Sequence, residues 1–361
     1  MADIISIATA VPDYCHKQSD ILHFMQDIYE LDDAGKRKLK FLYDHSGINT
    51  RYSVIEDYGI AAAGRSFIPE ERGAAFPSLE QRMEVFDRES VILSVKAIDQ
   101  CLYGIILPSQ VTHLITVSCT GMSAPGLDLA VMEEMQLSPN IFRTSVNFMG
   151  CYAAIHALKM AKMICDSTKD ANVVIVCTEL CTLHFQKEFT EDNAASSLLF
   201  ADGCAAVLIS NCIQHNKALS LRGFYSHVAQ KGSKDMAWQL SSKGFLMTLS
   251  GYVPQLIQED ISTLVEAAVK HNHLSLTDIT HWCIHPGGKR ILDMIQKKLS
   301  LSQDALLFSR DVLARYGNMS SPTVLFVLKE MMDNRNNDQA KILGMAFGPG
   351  LTMETFIAET K

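Results

Sequence analysis

A chain of 361 residues, 48% hydrophobic and 20% charged, has the balance of an ordinary globular protein and material for two domains or one large duplicated unit. That balance excludes disordered and fibrous classes. The net charge of −8 argues against nucleic acid as the main partner, while leaving room for a local basic mouth that binds an anionic ligand.

The first residues, MADIISIATAVPDYC, carry no basic leader and no long apolar core, so they read as a first strand ending at Pro12 rather than a signal peptide. No later apolar run approaches the length of a membrane span; VVIVC (173–177) and AAVLIS (205–210) are strand-sized. Ten cysteines without a secretory signal imply free thiols and a cytoplasmic setting. The close pair Cys177 and Cys181 has no second pair at zinc-site spacing, so no metal site is expected.

After the opening strand the first hundred residues read as mainly helical. A loop-like stretch over 64–81 leads into an amphipathic helix over 85–102. From there short apolar runs alternate with helical periods, the pattern of an α/β protein with a buried sheet. Within NFMGCYAAIHALKMA (147–161), Gly150 marks a turn and Cys151 falls in the first turn of a buried helix. Ile155, Leu158, Ala161 and Met163 form its apolar face, and Lys159 and Lys162 reach the surface. A helix N-terminus favours thiolate over thiol; the alternative is a cysteine that fills a core gap.

A polar stretch over 210–219 divides the chain into halves of 1–212 and 213–361, and the second half resembles the first. QVTHLITVSCTG (110–121) matches DITHWCIHPGG (278–288), GCYAAIHALKMAKMI (150–164) matches GNMSSPTVLFVLKEMM (317–332), and a strand follows each helix, over 172–180 and 341–350. Agreement in order and spacing predicts a duplicated fold. Cys151 and Asn318 then become equivalent, each starting a helix, and His285 ends a strand that matches the region of Cys119. A pseudo-twofold would gather these strand ends and helix starts at one place, where α/β sheets bind ligands.

Those three groups suit thioester chemistry. A thiolate beside an imidazolium accepts an acyl group, and the Asn318 amide donates to a developing oxyanion. Read singly, His285 is equally a strand-end histidine bonded to backbone and Asn318 a helix N-cap.

The motifs GC-aromatic-A (150–153), LFADG (199–203), HPGG (285–288), YGNMSS (316–321) and GPGLT-x-ET (348–355) resemble the type III polyketide synthases, the relatives of chalcone synthase. SCTGMSAPGLD (118–128) and ELCTLHFQ (179–186) resemble the bacterial branch that makes alkylpyrones and alkylresorcinols. The resemblance implies an α/β, thiolase-like, duplicated αβαβα five-layer fold acting as a homodimer. It implies acyl-CoA and malonyl-CoA as substrates, with no resident cofactor. It also implies Cys151 as nucleophile, His285 and Asn318 as the enolate-stabilising pair, and Phe200 as gatekeeper between acyl tunnel and CoA entrance. Cys119, Thr120, His184, Met247, Ser320, Phe347, Gly348 and Pro349 are expected to line the pocket, and Arg51, Gly287, Lys289 and Arg290 to meet CoA.

Three departures from the plant enzymes point away from an aromatic starter and toward a long aliphatic one. Met247 stands where they carry a second phenylalanine, His184 where they carry a threonine, and Ala124 where they send a methionine across the dimer. A close rival is the ketoacyl carrier protein synthase that starts fatty acid synthesis, which shares Cys, His and Asn in this order but carries HQAN and lacks the terminal GPG. Papain-like hydrolases share the order too, but carry a CGSCW-like nucleophile segment that neither half of this chain contains. A non-catalytic paralogue is opposed by the intact triad.

Overall fold

The computed structural model describes residues 1–61, 64–69, 74–232, 234–242, 244–334 and 339–360. Of the expected loop over 64–81, residues 70–73 lie outside the described residues.

The first half runs β1 (Asp3–Ala10), β2 (Tyr14–Lys17), α1 (Gln18–Ile28), α2 (Asp33–Asp44), β3 (Thr50–Ser53), α3 (Leu79–Leu102), β4 (His113–Ser118), α4 (Leu127–Glu134), β5 (Phe142–Asn147), α5 (Ala153–Ser167), β6 (Asn172–Leu180), α6 (Glu191–Leu199) and β7 (Asp202–Ser210). The second runs β8 (Leu219–Val228), β9 (Met236–Ser241), β10 (Gly244–Leu249), α7 (Val253–His271), β11 (His281–Ile284), α8 (Lys289–Lys298), α9 (Leu307–Tyr316), α10 (Thr323–Asp333), β12 (Lys341–Gly348) and β13 (Thr352–Thr360).

Strand order explains the internal resemblance. The main sheet reads β11-β12-β13-β8-β1-β7-β6-β4-β5. From the central β8–β1 pair outward, β8, β13, β12 and β11 mirror β1, β7, β6 and β4. The sense of pairing agrees as well. β4 with β6 and β11 with β12 are parallel, whereas β6 with β7 and β12 with β13 are antiparallel. The short apolar runs became strands because both faces are covered: every residue of β6 and β7 is buried.

Three apolar clusters define the layers. Alternate residues of β4, β6 and β7 face α3 on one side and α5 on the other, as the period of two requires. β12 and β13 divide likewise between a central cluster containing α10 and an outer one built on α7 and α8. Helices α5 and α10 share the central cluster, and each touches strands of the opposite half. The result is a duplicated α-β-α-β-α five-layer sandwich.

The expected helix over 85–102 starts earlier, at Leu79, where Ser78 and Gln81 form a reciprocal capping box. On α5, Ile155, Leu158 and Ala161 are fully buried, but Met163 is 64% exposed and does not belong to the apolar face. All ten cysteines are free thiols. Among the described residues no helix is long and apolar enough to cross a membrane.

Close packing within the second half sets a stability test. Gly344 on β12 lies opposite Phe356 on β13, and a Cβ at that glycine would run into the phenyl ring. Gly344→Val is expected to lower unfolding free energy by about 2 kcal/mol or more. Urea denaturation followed by circular dichroism measures it, and an unchanged midpoint would show that the sheet yields there.

Candidate active site

The nucleophile candidate sits on a turn whose shape is fixed by its neighbours. Gly150 has φ +80°, a conformation that favours glycine, and a Cβ there would collide with the Pro349 ring. A Cβ on Gly348 would come within 2.6 Å of Tyr152 Cδ1 and 3.3 Å of the Cys151 amide nitrogen. The GPG loop therefore packs directly on the cysteine turn, which is why both segments need glycine. Cys151 itself lies in the turn, with Tyr152 as N-cap and α5 beginning at Ala153. It precedes the helix rather than occupying its first turn.

His285 follows β11, and its backbone N–H donates to the Met345 carbonyl at 2.8 Å, extending the parallel pairing with β12. Both ring nitrogens are buried and have no hydrogen-bond partner among the described residues. The backbone-bonded reading thus covers only its main chain.

Asn318 is held from the other half. Its N–H donates to Leu199 O at 2.9 Å and its carbonyl accepts from Ala201 N at 3.0 Å, making a parallel bridge with Phe200. Its side-chain Oδ1 accepts from Ser320 N at 2.8 Å, and Nδ2 donates to Gly287 O at 3.4 Å. Helix α10 begins five residues later, capped at Pro322, so Asn318 neither starts nor caps it. Ser320 adopts φ +61°, unusual for a residue with a side chain.

These three groups line one cavity. It holds about 730 Å³ of empty space, and Cys119, Cys151, Phe200, Met247, His285, Gly287, Asn318, Ser320, Phe347 and Pro349 contribute to its wall. A second chamber of about 600 Å³ is walled by Arg51, Tyr58, His184, Phe185 and Phe245, among others. Cys181, Phe200, Trp238 and Met247 line both. Phe200 and Met247 thus stand at the partition. Trp238 and Met247 are cross-strand partners of the β9–β10 hairpin, so their side chains share one face of it.

Three pocket or entrance expectations need correction. Thr120 lines neither chamber; it is fully buried, and its hydroxyl accepts from Leu180 N at 3.3 Å. Gly348 also lines neither, because it is packed beneath Tyr152. His184, expected in the pocket wall, lines the second chamber. Arg51 is buried, and its guanidinium donates to Gln18 Oε1 and to the Phe200 carbonyl. It braces the partition from inside instead of greeting an incoming phosphate.

Lys289 and Arg290 are exposed in the first turn of α8, next to Gly287 at the cavity wall. Lys289 pairs with Asp293 at 2.7 Å; Arg290 has no ion partner among the described residues.

Burial of the cavity acts against the charged forms of the expected thiolate–imidazolium pair. Burial pushes the Cys151 thiol up to about 12; hydrogen bonds from Ser320 and Asn318 oppose this, and the Glu179 carboxylate adds to it. Burial lowers His285 to about 3. Removing both groups from water penalises their charged forms, so burial favours the thiol and the neutral imidazole.

Glu179 was legible only as part of a motif, with no role attached. It is fully buried at the end of β6, accepting from Cys119 N at 2.9 Å and from the Ser321 hydroxyl at 2.7 Å. Cys181 and Trp238 were likewise not anticipated in the walls; Cys181 follows β6 inside the ELCTLHFQ motif, and nothing in its local sequence marks Trp238, since the β9–β10 hairpin reaches the site only through tertiary packing.

A duplicated five-layer sandwich with a cavity between its halves is the architecture of the thiolase-like enzymes. Within that class, the pattern of the family described as chalcone and stilbene synthases, N-terminal domain, matches residues 1–212, and that of the C-terminal domain matches residues 225–360. The chain belongs to the chalcone and stilbene synthase family, the type III polyketide synthases, transferases that join acyl units by decarboxylative condensation. It is 30% identical to the Mycobacterium tuberculosis alpha-pyrone synthesis polyketide synthase-like Pks18, covering 98% of this chain and 90% of that one. It is 29% identical to a putative chalcone synthase of Bacillus subtilis, covering 99% and 98%. The crystal structure of PKS-I from the brown alga Ectocarpus siliculosus superposes with a TM-score of 0.91 at 26% identity, over 99% of this chain and 98% of that one. The C-terminal domain of Steely1 from Dictyostelium shares the fold at 23% identity and a TM-score of 0.89.

Burial also raises Glu179 to about 7 from 4.5, against its hydrogen bonds. The folded state then holds a proton that the unfolded chain has released between about pH 4.5 and 7, so this group makes stability fall as pH rises through that window. Glu179→Gln is expected to flatten that decline. Urea unfolding at pH 5 and pH 8 measures it; an identical pH difference in variant and native protein would mean that Glu179 titrates normally.

Proposed function

We propose that this enzyme loads an aliphatic acyl-CoA starter onto Cys151 and extends it repeatedly with malonyl-CoA, releasing cyclised pyrone or resorcinol-type products. The observation that carries the reading is the single cavity walled by Cys151, His285 and Asn318 together.

In loading, the Cys151 sulfur attacks the thioester carbonyl while its proton passes to the neutral His285 imidazole. The proton then leaves with the departing CoA sulfur, giving acyl-enzyme and free CoA. A neutral imidazole suits this because it can both take and return the proton. Malonyl-CoA follows: loss of CO2 leaves an enolate whose oxygen is stabilised by the imidazole N–H and by Asn318 Nδ2. Hydrogen bonds from Ser320 N and to Gly287 O fix the amide's orientation in advance, so little reorganisation is needed as charge develops. The enolate carbon attacks the Cys151 thioester and expels the sulfur as a thiolate, which takes one proton from solvent by way of His285 as the lengthened chain departs on CoA.

Phe200 keeps water from the carbanion, and Met247 beside it bends more easily than a phenyl ring. Apolar walls such as Ile291, Phe347 and Leu249 favour an alkyl chain, in keeping with the alpha-pyrone synthesis in the mycobacterial relative's name. Arg290, together with the exposed N-terminus of α8, supplies the positive field a CoA phosphate needs. Both substrates arrive as CoA thioesters, so no resident cofactor is required. The enzyme works in the cytoplasm as a homodimer. The β5 edge supports this, with Phe142 71% exposed on the last strand of the sheet.

Three substitutions test this reading. Cys151→Ala is expected to abolish acyl loading; intact-mass measurement after exposure to an acyl-CoA checks it, and a persisting acyl adduct removes Cys151 from its role. Asn318→Ala is expected to slow malonyl-CoA decarboxylation by about 10²–10³-fold, read as CO2 release, while loading of the starter persists; unchanged release contradicts it. Met247→Phe is expected to narrow the partition and shift starter preference toward shorter chains in competition between acyl-CoAs. An unaltered profile would place this residue outside the path.

A further inference from the structure

The second chamber carries a polar feature that an alkyl chain cannot use. His184 is 8% exposed, and neither ring nitrogen has a hydrogen-bond partner among the described residues. Its ring meets Trp238 edge-on at 4.5 Å and packs against Phe245 at 4.6 Å. The Trp238 indole N–H is buried and equally without a protein partner. Both side chains wall the second chamber, and Trp238 also walls the Cys151 cavity beside Met247.

Burial, followed by the Arg82 charge, holds the His184 imidazole well below its ordinary value, so it is neutral and offers one donor and one acceptor. With the indole N–H the pair holds two donors and one acceptor, packed against the Phe245 ring. A buried polar group left unmatched costs about 1–3 kcal/mol. An alkyl tail would leave all three unmatched. A hydroxyl that can both donate and accept would match the indole N–H and one imidazole nitrogen: an enol of a β-dicarbonyl chain, a phenol, or an alcohol.

We propose that His184 and Trp238 anchor a hydroxyl or enol oxygen of the acyl chain at the junction of the two chambers, making them specificity residues for oxygen-bearing chains. The proposal rests on the reading that this enzyme extends acyl groups, and it adds which part of the chain stops at the partition. The alkyl tail passes deeper, along Ile21 and Met25, and the oxygenated carbons come to rest at the anchor. The oxygen comes either from the growing chain or from a hydroxylated starter.

The chain has two tryptophans, so Trp282→Phe leaves Trp238 as sole emitter. In that background, titration with 3,5-dihydroxytoluene is expected to change the fluorescence saturably, and toluene to bind about tenfold more weakly. His184→Phe should erase the preference. Equal binding of the two probes, no response, or a preference that survives His184→Phe would overturn the anchor.

Turnover by Trp238→Phe, which keeps an aromatic ring and loses the N–H, identifies the source. With octanoyl-CoA and 8-hydroxyoctanoyl-CoA as starters, a KM increase confined to the hydroxylated one assigns the anchor to the starter. Unchanged KM values with products shortened by an extension assign it to the growing chain. If neither moves, the proposal fails. If the native enzyme extends neither starter with malonyl-CoA, the proposed function fails while the binding preference stands or falls by the fluorescence alone.

Discussion

The site depends on a three-residue backbone exchange between halves: Asn318 donates to Leu199 and accepts from Ala201. That parallel bridge brings the carboxamide of the second half beside Phe200 of the first. Arg51, buried and donating to the Phe200 carbonyl, clamps the same point from a third direction. Because backbone hydrogen bonds in a dry interior are costly to leave unmade, the spacing of gate and amide is set by main chain rather than by adjustable side chains. The glycine contacts of the cysteine turn with Pro349 and Tyr152 do the same for the nucleophile.

Burial also acts on the charge of the site. The thiol is pushed up and the imidazole down by the same desolvation, which favours the uncharged form of each. A neutral imidazole has a donor free for an enolate oxygen; an imidazolium locked to a thiolate would already be engaged. The buried Glu179 beneath Cys119, bonded to that residue's amide and to Ser321, holds the floor without presenting a full negative charge at lower pH.

Sequence pattern revealed much of the architecture because duplication leaves its trace in order and spacing. The strands around 113–118 and 281–284 and the helices α5 and α10 fell where the periodicities put them, since both faces of the sheet are covered and the runs are short and apolar. Cys151, His285 and Asn318 were legible because each stands beside a glycine turn. Burial was not. Arg51 reads as a surface cation from its neighbours, yet the β2–β3 pairing turns it inward toward Phe200. Thr120 and Gly348 lie one residue from cavity-lining positions, where alternation decides which side chain faces the space. The burial of Cys151 escaped for the same reason: its turn before a helix was visible, and the dry surroundings supplied by distant strands were not. Trp238 reaches the walls through tertiary contacts alone.

The central claim is that both halves act on one thioester carbonyl. A crystal structure of the enzyme acylated at Cys151 by a starter acyl-CoA tests it most directly. With a non-decarboxylating malonyl-CoA analogue bound to that acyl-enzyme, the account predicts the analogue's thioester carbonyl oxygen within hydrogen-bond reach of both His285 and Asn318, about 3 Å, with the acyl chain running past Phe200 and Met247. An acyl group on another cysteine, or a carbonyl turned away from those two side chains, would contradict it.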